Sequence, residues 1–271
     1  MNNAQHYNHI TDLWPLLLGK NFHWGLFDIG DLSLESATDR LIDRMLSFIN
    51  YREGLKMLDI GCGIGEPAFY VANRCKLKIT GISNSESGIN TANASAQKLG
   101  LSGDVNFFMR DACDNRFPDG TFDICWLMEM SHLIENKEQL IKEATRVLKT
   151  EGEFILCDLI LKRELTPKEI FLNKEKLLIL GRSFGKAQLR TTDYYIRILE
   201  SSGLKEIKVL DISIEVQRTL DFWITNAKQN REVAANLGYS ADIENFITSC
   251  EILKEYYYEG TWGYAIFYGK K

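Results

Sequence analysis

Residues 55–72 read LKMLDIGCGIGEPAFYVA and contain the clearest indication of the fold. The apolar run LKMLDI leads directly into a turn with glycines at positions 61, 63 and 65, and EPAFYVANRC then has the spacing of an amphipathic helix. A short apolar run bounded by glycines is typical of a buried strand. Strand, glycine turn and helix in this order predict an α/β sheet in which the turn approaches a bound ligand.

The alternation of short apolar runs and amphipathic segments continues along the chain. It predicts βαβ units, and therefore a parallel sheet with helices on both faces and right-handed crossovers. We predict a Rossmann-like α/β fold with a mostly parallel, seven-stranded sheet. After LKMLDI, the remaining predicted strands are LKITGIS, DVNFFMRDA, FDICWLMEM, EFILCDLIL, LKEIKVLDIS and GTWGYAIFYGKK.

Three segments do not follow this alternation. Residues 1–50 are rich in aromatic side chains and end in a helical pattern, so they predict an N-terminal helical lid. Helical patterns at about 162–190 and 215–258 interrupt the later strands, and we interpret them as insertions that form a cap. The rest of residues 51–271 is predicted to form the ligand-binding core.

The composition excludes several classes of function. With a net charge of −5, a pI of about 5.5 and no basic stripe, the chain is a poor match for nucleic acid. The first residues lack the regions of a secretory signal, and no apolar run approaches the roughly 20 residues of a membrane helix. Six cysteines without a C-x-x-C pair indicate reduced, buried thiols and no metal centre. We therefore expect a cytoplasmic protein, either monomer or homodimer, that binds a small molecule.

The spacing of the glycines distinguishes between possible cofactors. A dinucleotide site needs glycine at the position of Glu66, and a phosphate-binding P-loop needs G-K-S or G-K-T after the turn. This chain has neither feature. Asp59, two residues before Gly61, would repel a pyrophosphate but can accept hydrogen bonds from a cationic amino group. S-adenosylmethionine (SAM) has such a group and no phosphate, so it is the predicted cofactor; a dinucleotide and a purely structural turn remain as alternatives.

Other side chains at the ends of the predicted strands are candidates for binding SAM. Asp111 and the amide of Ala112 follow the third strand and suit hydrogen bonding to adenine, although an aspartate there is also a common turn former. Ser83, followed by Asn84, stands where an acidic residue usually holds the ribose hydroxyls. Glu129 ends the fourth strand and either faces the methionine part of SAM or is simply solvated.

Four motifs, MLDIGCGIGEPA, GISNSESGINTANASA, RDA and FPDGTFDICWLMEMSHL, resemble in sequence and order those of class I SAM-dependent methyltransferases. The chain looks most like small-molecule methyltransferases of natural-product pathways, such as the rebeccamycin sugar O-methyltransferase, and more distantly like sterol, tocopherol and cyclopropane-fatty-acid methyltransferases. NFHWGLFD, residues 21–28, is similar to the lid segment of that group. The resemblance implies a lid in which His23 contacts the methionine part of SAM or the acceptor, with packing or capping as its alternative role.

Two positions depart from that group. The second strand is usually followed by S-x-x-Q, whose glutamine helps to hold the ribose, whereas this chain has Gly88 at the place of the glutamine. The fourth strand is often followed by two adjacent histidines, and here His132 is followed by Leu133. The ribose contacts therefore stay open.

Transfer of a methyl group to a hydroxyl requires alignment of the acceptor, exclusion of water and removal of a proton. His132 lies just after the fourth strand, and an imidazole titrates close to neutral pH, so it is the candidate base; its alternative role is packing or capping. Asp158 lies in the apolar run FILCDLIL, where a charge is costly unless it is paired. It is predicted to orient His132 or to contact an acceptor hydroxyl, with a structural ion pair as the alternative.

These features predict a SAM-dependent methyltransferase that acts on a hydroxyl of a small, largely apolar secondary metabolite. Transfer to nitrogen or carbon is an alternative, and so is a SAM-binding enzyme that does not methylate, such as a cyclase. Methylation of nucleic acid is disfavoured because the N-P-P-Y or D-P-P-Y tetrapeptide is absent. Aromatic residues in or just beside the predicted cap insertions suggest an apolar acceptor pocket, with helix packing as the alternative: Phe171, Phe184, Tyr194, Phe222 and Trp223.

Overall fold

The computed structural model describes residues 13–271, and within them seven strands form one sheet. The strands are β1 (Lys56–Ile60), β2 (Lys78–Ser83), β3 (Val105–Met109), β4 (Phe122–Met128), β5 (Leu148–Leu161), β6 (Lys205–Asp211) and β7 (Trp262–Lys270). Their spatial order is β3-β2-β1-β4-β5-β7-β6. The pairs among β1 to β4 and the β4–β5 pair are parallel, and β7 is antiparallel to β6. The predicted Rossmann-like, mostly parallel sheet is confirmed.

Helices connect these strands and fill both insertions. They are α1 (Trp14–Leu18), α2 (Leu34–Leu46), α3 (Glu66–Cys75), α4 (Glu86–Lys98), α5 (Lys137–Val147), α6 (Pro167–Leu172), α7 (Lys174–Phe184), α8 (Thr192–Ser201), α9 (Arg218–Gln229), α10 (Arg231–Asn236) and α11 (Ser240–Tyr258). The bounds of α3 are those that the sequence predicts. Among residues 13–271, no helix combines the length and apolar character needed to cross a membrane.

Helix α5 is shorter than its sequence suggests. The amphipathic pattern with a glycine stop predicts a helix that continues to Gly152, but α5 ends at Val147 and β5 begins at the next residue. The Glu151 amide donates to the Lys271 carbonyl at 2.8 Å, and the Lys271 amide donates to the Gly152 carbonyl at 2.9 Å. Pairing with the distant end of the chain therefore outweighs the local helical preference.

The strand order reverses beside β1. Strands β2 and β3 lie on one side of β1 in the sheet, and β4 and β5, which come later in the chain, lie on the other side of β1. Asp59 of β1 is in register with Gly81 of β2 and with Trp126 of β4. Because these strands are parallel, their carboxyl ends lie at the same edge, where open α/β sheets bind ligands at the point of reversal. The glycine turn after β1 and the loop after β4 both start at this edge.

The chain divides into two compact units. The sheet unit consists of residues 42–158, 192–211 and 265–271. The helical unit consists of the described residues up to 41, together with 159–191 and 212–264. The division falls inside α2, so the last residues of the predicted N-terminal lid belong to the sheet unit. Residues 1–12 of that lid lie outside the described part of the chain.

The helical unit has an aromatic core of its own. Trp24 packs against Trp223 with ring centroids 5.2 Å apart, and Phe184 packs against Phe246 at 5.5 Å. Two of the aromatic residues that suggested an acceptor pocket, Trp223 and Phe184, thus help to hold this unit together. Phe171, by contrast, is 76% exposed on α6.

Candidate functional site

The glycine turn between β1 and α3 has a backbone that side chains would disrupt. Gly61, Gly63 and Gly65 have φ values of +84°, +54° and +89°, a region that favours glycine strongly. A Cβ on Gly61 would stand 2.6 Å from the Met130 side chain, so the turn also touches the loop after β4. The Gly61 amide donates to the Ile82 carbonyl at 2.8 Å and fixes the turn to β2.

Asp59 places a buried carboxyl group beside this turn. The residue is 3% exposed, and its Oδ2 atom has no hydrogen-bond partner among the described residues. Burial raises the pKa of Asp59 to about 7, because removing a charge from water is costly. A bound cation would offset that cost, so the carboxyl suits a ligand with an ammonium group.

The residues of the turn fit SAM on two counts. The unpartnered oxygen of Asp59 supplies an acceptor for the ammonium group of the cofactor. A Cβ built on Gly63 would meet no atom within 4 Å, so the backbone of the turn is open to a ligand. Glu66 is the first residue of α3. Its negative charge interacts favourably with the positive end of the helix dipole and would repel a pyrophosphate.

The residues after β2 lie close to the turn. A Cβ on Gly88 would be 3.1 Å from the carbonyl oxygen of Gly63, so glycine at this position lets α4 approach the turn closely. Ser83 is half-buried and its hydroxyl accepts a hydrogen bond from the Ser85 amide at 3.2 Å, while Asn84 is exposed. Contacts of Ser83 and Asn84 with the ribose stay a prediction.

Asp111 and Ala112 lie in the turn after β3. Asp111 is exposed, and its Oδ1 accepts a hydrogen bond from the Cys113 amide at 2.8 Å, a local turn that aspartate favours. A carboxylate has further lone pairs, so this bond leaves acceptor capacity for an adenine amino group. The turn-forming role is therefore present, and the adenine contact is compatible with it.

Glu129 has a strained backbone directly after β4. Its φ is +51°, a left-handed conformation that costs a non-glycine residue roughly 1–2 kcal/mol. Its amide donates to the Cys157 carbonyl at 2.9 Å, so β5 holds the strained residue in place. Strain of this kind is concentrated at functional sites, which supports a role for half-buried Glu129 at the carboxyl edge of the sheet.

His132 and Asp158 form a buried pair inside the sheet unit. Asp158 is fully buried in β5, and His132 is 7% exposed in the short 3₁₀ turn Ser131–Leu133. The His132 Nδ1 atom lies 2.7 Å from Asp158 Oδ1, and the His132 amide donates to Oδ2 at 2.9 Å. Because a carboxylate only accepts hydrogen bonds, Nδ1 carries a proton, and in the tautomer with a single ring proton Nε2 therefore keeps its lone pair.

Asp158 is ionised in this setting. Burial by itself raises the pKa of Asp158, but the charge of His132 and the hydrogen bonds from His132 and Ser131 outweigh it and hold the pKa below its usual range. The ionised carboxylate can therefore orient His132 and stabilise its protonated form. Complete burial disfavours the alternative in which Asp158 itself contacts an acceptor.

Two further residues of this cluster were missed by sequence reasoning. Ser131 donates to Asp158 Oδ2 at 2.6 Å, and the Tyr195 hydroxyl lies 2.7 Å from Ser131 Oγ. Ser131 precedes His132 directly, so its place in the sequence offers a weak signal. Tyr195 is an inward-facing residue of the amphipathic helix α8, and nothing in its local sequence separates it from ordinary packing residues.

His23 is buried in the helical unit. Its Nδ1 atom lies 2.9 Å from the Trp24 carbonyl and donates to it, so Nε2 is an acceptor, and this atom has no partner among the described residues. Burial lowers the pKa of His23 to about 4, although the bond to Trp24 acts in the opposite direction. The ring is therefore neutral at physiological pH and can accept a hydrogen bond from a ligand.

The structure thus gathers most of the predicted site residues at one edge of the sheet unit. Contact between Gly61 and Met130 joins the glycine turn to the loop that carries His132. His23 belongs to the helical unit. Within the described residues, no cluster of three or more His, Cys, Asp or Glu side chains is arranged to hold a metal ion.

Comparison with known proteins assigns the family. Residues 58–156 match the model of a methyltransferase domain. Over 223 residues, 82% of this chain and 79% of its relative, the sequence is 34% identical to 27-O-demethylrifamycin SV methyltransferase of Amycolatopsis mediterranei. The chain belongs to the class I SAM-dependent methyltransferases. This methyltransferase therefore has SAM as its cofactor, as the glycine turn and Asp59 predict.

Two other similarities extend the comparison. A probable tocopherol O-methyltransferase of Oryza sativa is 31% identical over 229 residues, which are 80% of this chain and 62% of the relative. The crystal structure of the cyclase SpnF has 25% sequence identity and a TM-score of 0.82, covering 99% of this chain and 95% of SpnF. The fold of this methyltransferase is thus shared with an enzyme whose name describes another reaction.

Proposed function

We propose that this methyltransferase transfers the methyl group of SAM to a hydroxyl group of a small, largely apolar metabolite. The observation that carries the proposal is the contact between His132 Nδ1 and Asp158 Oδ1 at 2.7 Å. This contact fixes the tautomer of the imidazole and leaves Nε2 free to take a proton from a hydroxyl. An amine acceptor would need such a base much less.

The glycine turn and its neighbours hold the cofactor in this proposal. SAM, when bound, supplies an electrophilic methyl group on a sulfonium. Asp59 accepts hydrogen bonds from the ammonium group, and Gly61, Gly63 and Gly65 let the backbone approach the ligand. The remaining contacts come from the strand ends of the sheet unit: Ser83, Asn84, Asp111, Ala112 and Glu129.

His132 acts as the general base. The proton of the acceptor hydroxyl would pass to Nε2 as the oxygen takes the methyl group and the C–S bond of the sulfonium breaks to leave a neutral thioether, and the imidazolium would be stabilised by ionised Asp158. Full burial of Asp158 keeps this charge pair away from water, which strengthens it. Positioned proton transfer of this kind contributes about 10²- to 10⁴-fold to a rate.

The class of acceptor is supported by the relatives and by the charge of the chain. Two of the relatives act, by their names, on 27-O-demethylrifamycin SV and on tocopherol. A net charge of −5 disfavours nucleic acid as the acceptor, and the proposal involves no membrane. All six cysteines are free, which supports a reducing compartment such as the cytoplasm.

Methyl-labelled SAM tests the proposal directly. The protein is incubated with labelled SAM and matched acceptors that present either a hydroxyl or an amine on the same apolar skeleton. Label in the hydroxyl acceptor that depends on His132 supports the proposal. Label that enters only amine or carbon positions contradicts it.

A SAM-binding enzyme that does not methylate is the second candidate. It is favoured by one observation, the similarity to the cyclase SpnF over 99% of this chain. A polyene substrate that cyclises in the presence of the protein, with no label transferred from SAM, would establish this candidate in place of the first.

A further inference from the structure

Ser131 and Tyr195 form a hydrogen-bonded chain that ends on Asp158. Ser131 Oγ donates to Asp158 Oδ2 at 2.6 Å, and the Tyr195 hydroxyl lies 2.7 Å from Ser131 Oγ. Serine has a single hydroxyl proton, and Ser131 already donates it in the hydrogen bond to the ionised carboxylate. Tyr195 is therefore the donor in the second bond. Two hydroxyl groups in series therefore act on one carboxylate oxygen, while the ring of His132 donates to the other.

Burial strengthens this arrangement. Tyr195, Ser131 and Asp158 each have no exposed surface. Hydrogen bonds in a low-dielectric interior are electrostatically stronger, and bonds in series polarise one another. The Tyr195 ring packs against Phe267 with centroids 4.9 Å apart, which restricts the position of the hydroxyl.

We propose that Tyr195 and Ser131 are positioning residues, which set how strongly Asp158 attracts the proton of His132. The idea rests on the proposed role of His132 as the base. Each hydroxyl stabilises negative charge on Asp158 and so lowers the basicity of the carboxylate. Removal of a hydroxyl leaves more charge facing the imidazole. Protonated His132 is then stabilised, and the ring takes up its proton at a higher pH.

The direct test is the titration of His132 by NMR in the protein without acceptor. The chain has four histidines, so the signal of His132 is assigned by its absence in His132→Gln. We expect the titration midpoint to rise by about 0.5 pH unit in Tyr195→Phe and by about 1 unit in Ser131→Ala. The matched control is Tyr194→Phe, because Tyr194 neighbours Tyr195 in α8 with ring centroids 6.1 Å apart; it leaves the midpoint unchanged.

A purely structural role gives a different result. Tyr195→Phe and Ser131→Ala would then lower the melting temperature while His132 titrates as in the wild type, and this outcome overturns the proposal. If the proposal holds, the acid limb of the pH profile of kcat/KM moves upward together with the NMR midpoint, and the KM for SAM does not change.

The titration also separates this proposal from the proposed function, since it needs no acceptor and no turnover. If His132→Ala retains full methyl transfer while the titration still shifts in Tyr195→Phe, the base assignment fails and the positioning chain stands. If His132→Ala is inactive and no titration shifts, the base assignment stands and the positioning chain fails.

Discussion

One carboxylate holds His132 at two points: the His132 amide lies 2.9 Å from Asp158 Oδ2, and the ring Nδ1 lies 2.7 Å from Oδ1. The first bond fixes the backbone of the turn after β4, and the second fixes the tautomer and orientation of the ring. The position of Nε2 is therefore set by β5, the neighbouring strand, and not by the loop alone. Met130 also touches the glycine turn at Gly61. The loop that carries His132 and the turn of the cofactor site therefore pack against each other.

Loss of the base is the first prediction. His132→Ala should reduce kcat for a hydroxyl acceptor by about 10²- to 10⁴-fold, because the variant lacks the Nε2 atom that takes the proton of the hydroxyl. SAM binding, measured by calorimetry, should stay close to that of the wild type, since the glycine turn and Asp59 are unchanged. Equal turnover in the variant and the wild type would remove His132 from the mechanism.

Exchange of the orienting carboxylate is the second prediction. Asp158→Asn keeps the shape but presents an amide that can donate to Nδ1, which favours the wrong tautomer and removes the charge that stabilises the imidazolium. We expect kcat to fall by about 10²-fold or more. The control is Asp104→Asn, since Asp104 pairs with Lys78 on the surface. A normal pH profile and kcat in Asp158→Asn would contradict the orienting role.

Local pattern predicted the glycine turn, because strand, turn and helix are adjacent in the chain and each has its own spacing. His132 and Asp158 were found separately, one by its place after a strand and the other by a charge in an apolar run. Their contact spans 26 residues, and the Ser131–Tyr195 contact spans 64 residues. Tyr195 could not be found from sequence, because its position in α8 follows ordinary helical amphipathicity. The early end of α5 was missed for a similar reason, since pairing with Lys271 decides it.

Acid sensitivity of the helical unit is the third prediction. Burial lowers the pKa of His23 to about 4, below its unfolded value of about 6.5. The neutral ring therefore contributes stability that is fully present above pH 6.5 and is lost as the pH falls towards 4, up to about 3 kcal/mol. His23→Gln keeps a donor and an acceptor but cannot ionise. The melting temperature of His23→Gln minus that of the wild type should therefore be larger at pH 4.5 than at pH 7.5.

The same two pH values provide the control for His23. At pH 7.5 the ring is neutral in both folded and unfolded chains, so any difference between wild type and His23→Gln reflects packing alone. A difference of the same size at pH 4.5 would show that ionisation of His23 does not affect folding.

The fourth prediction concerns Asp59, which affects the pH dependence of stability in the direction opposite to that of His23. Burial raises the pKa of Asp59 to about 7, so stability that is fully present below the unfolded pKa of about 4 is lost as the pH rises through 7. Asp59→Asn removes this cost and should stabilise the protein without SAM at pH 8, but not at pH 4. SAM needs the ionised carboxylate, so its affinity for the wild type should fall about tenfold from pH 8 to pH 6. In Asp59→Asn, calorimetry should show weak binding at both pH values; tight binding in this variant would exclude Asp59 as the partner of the ammonium group.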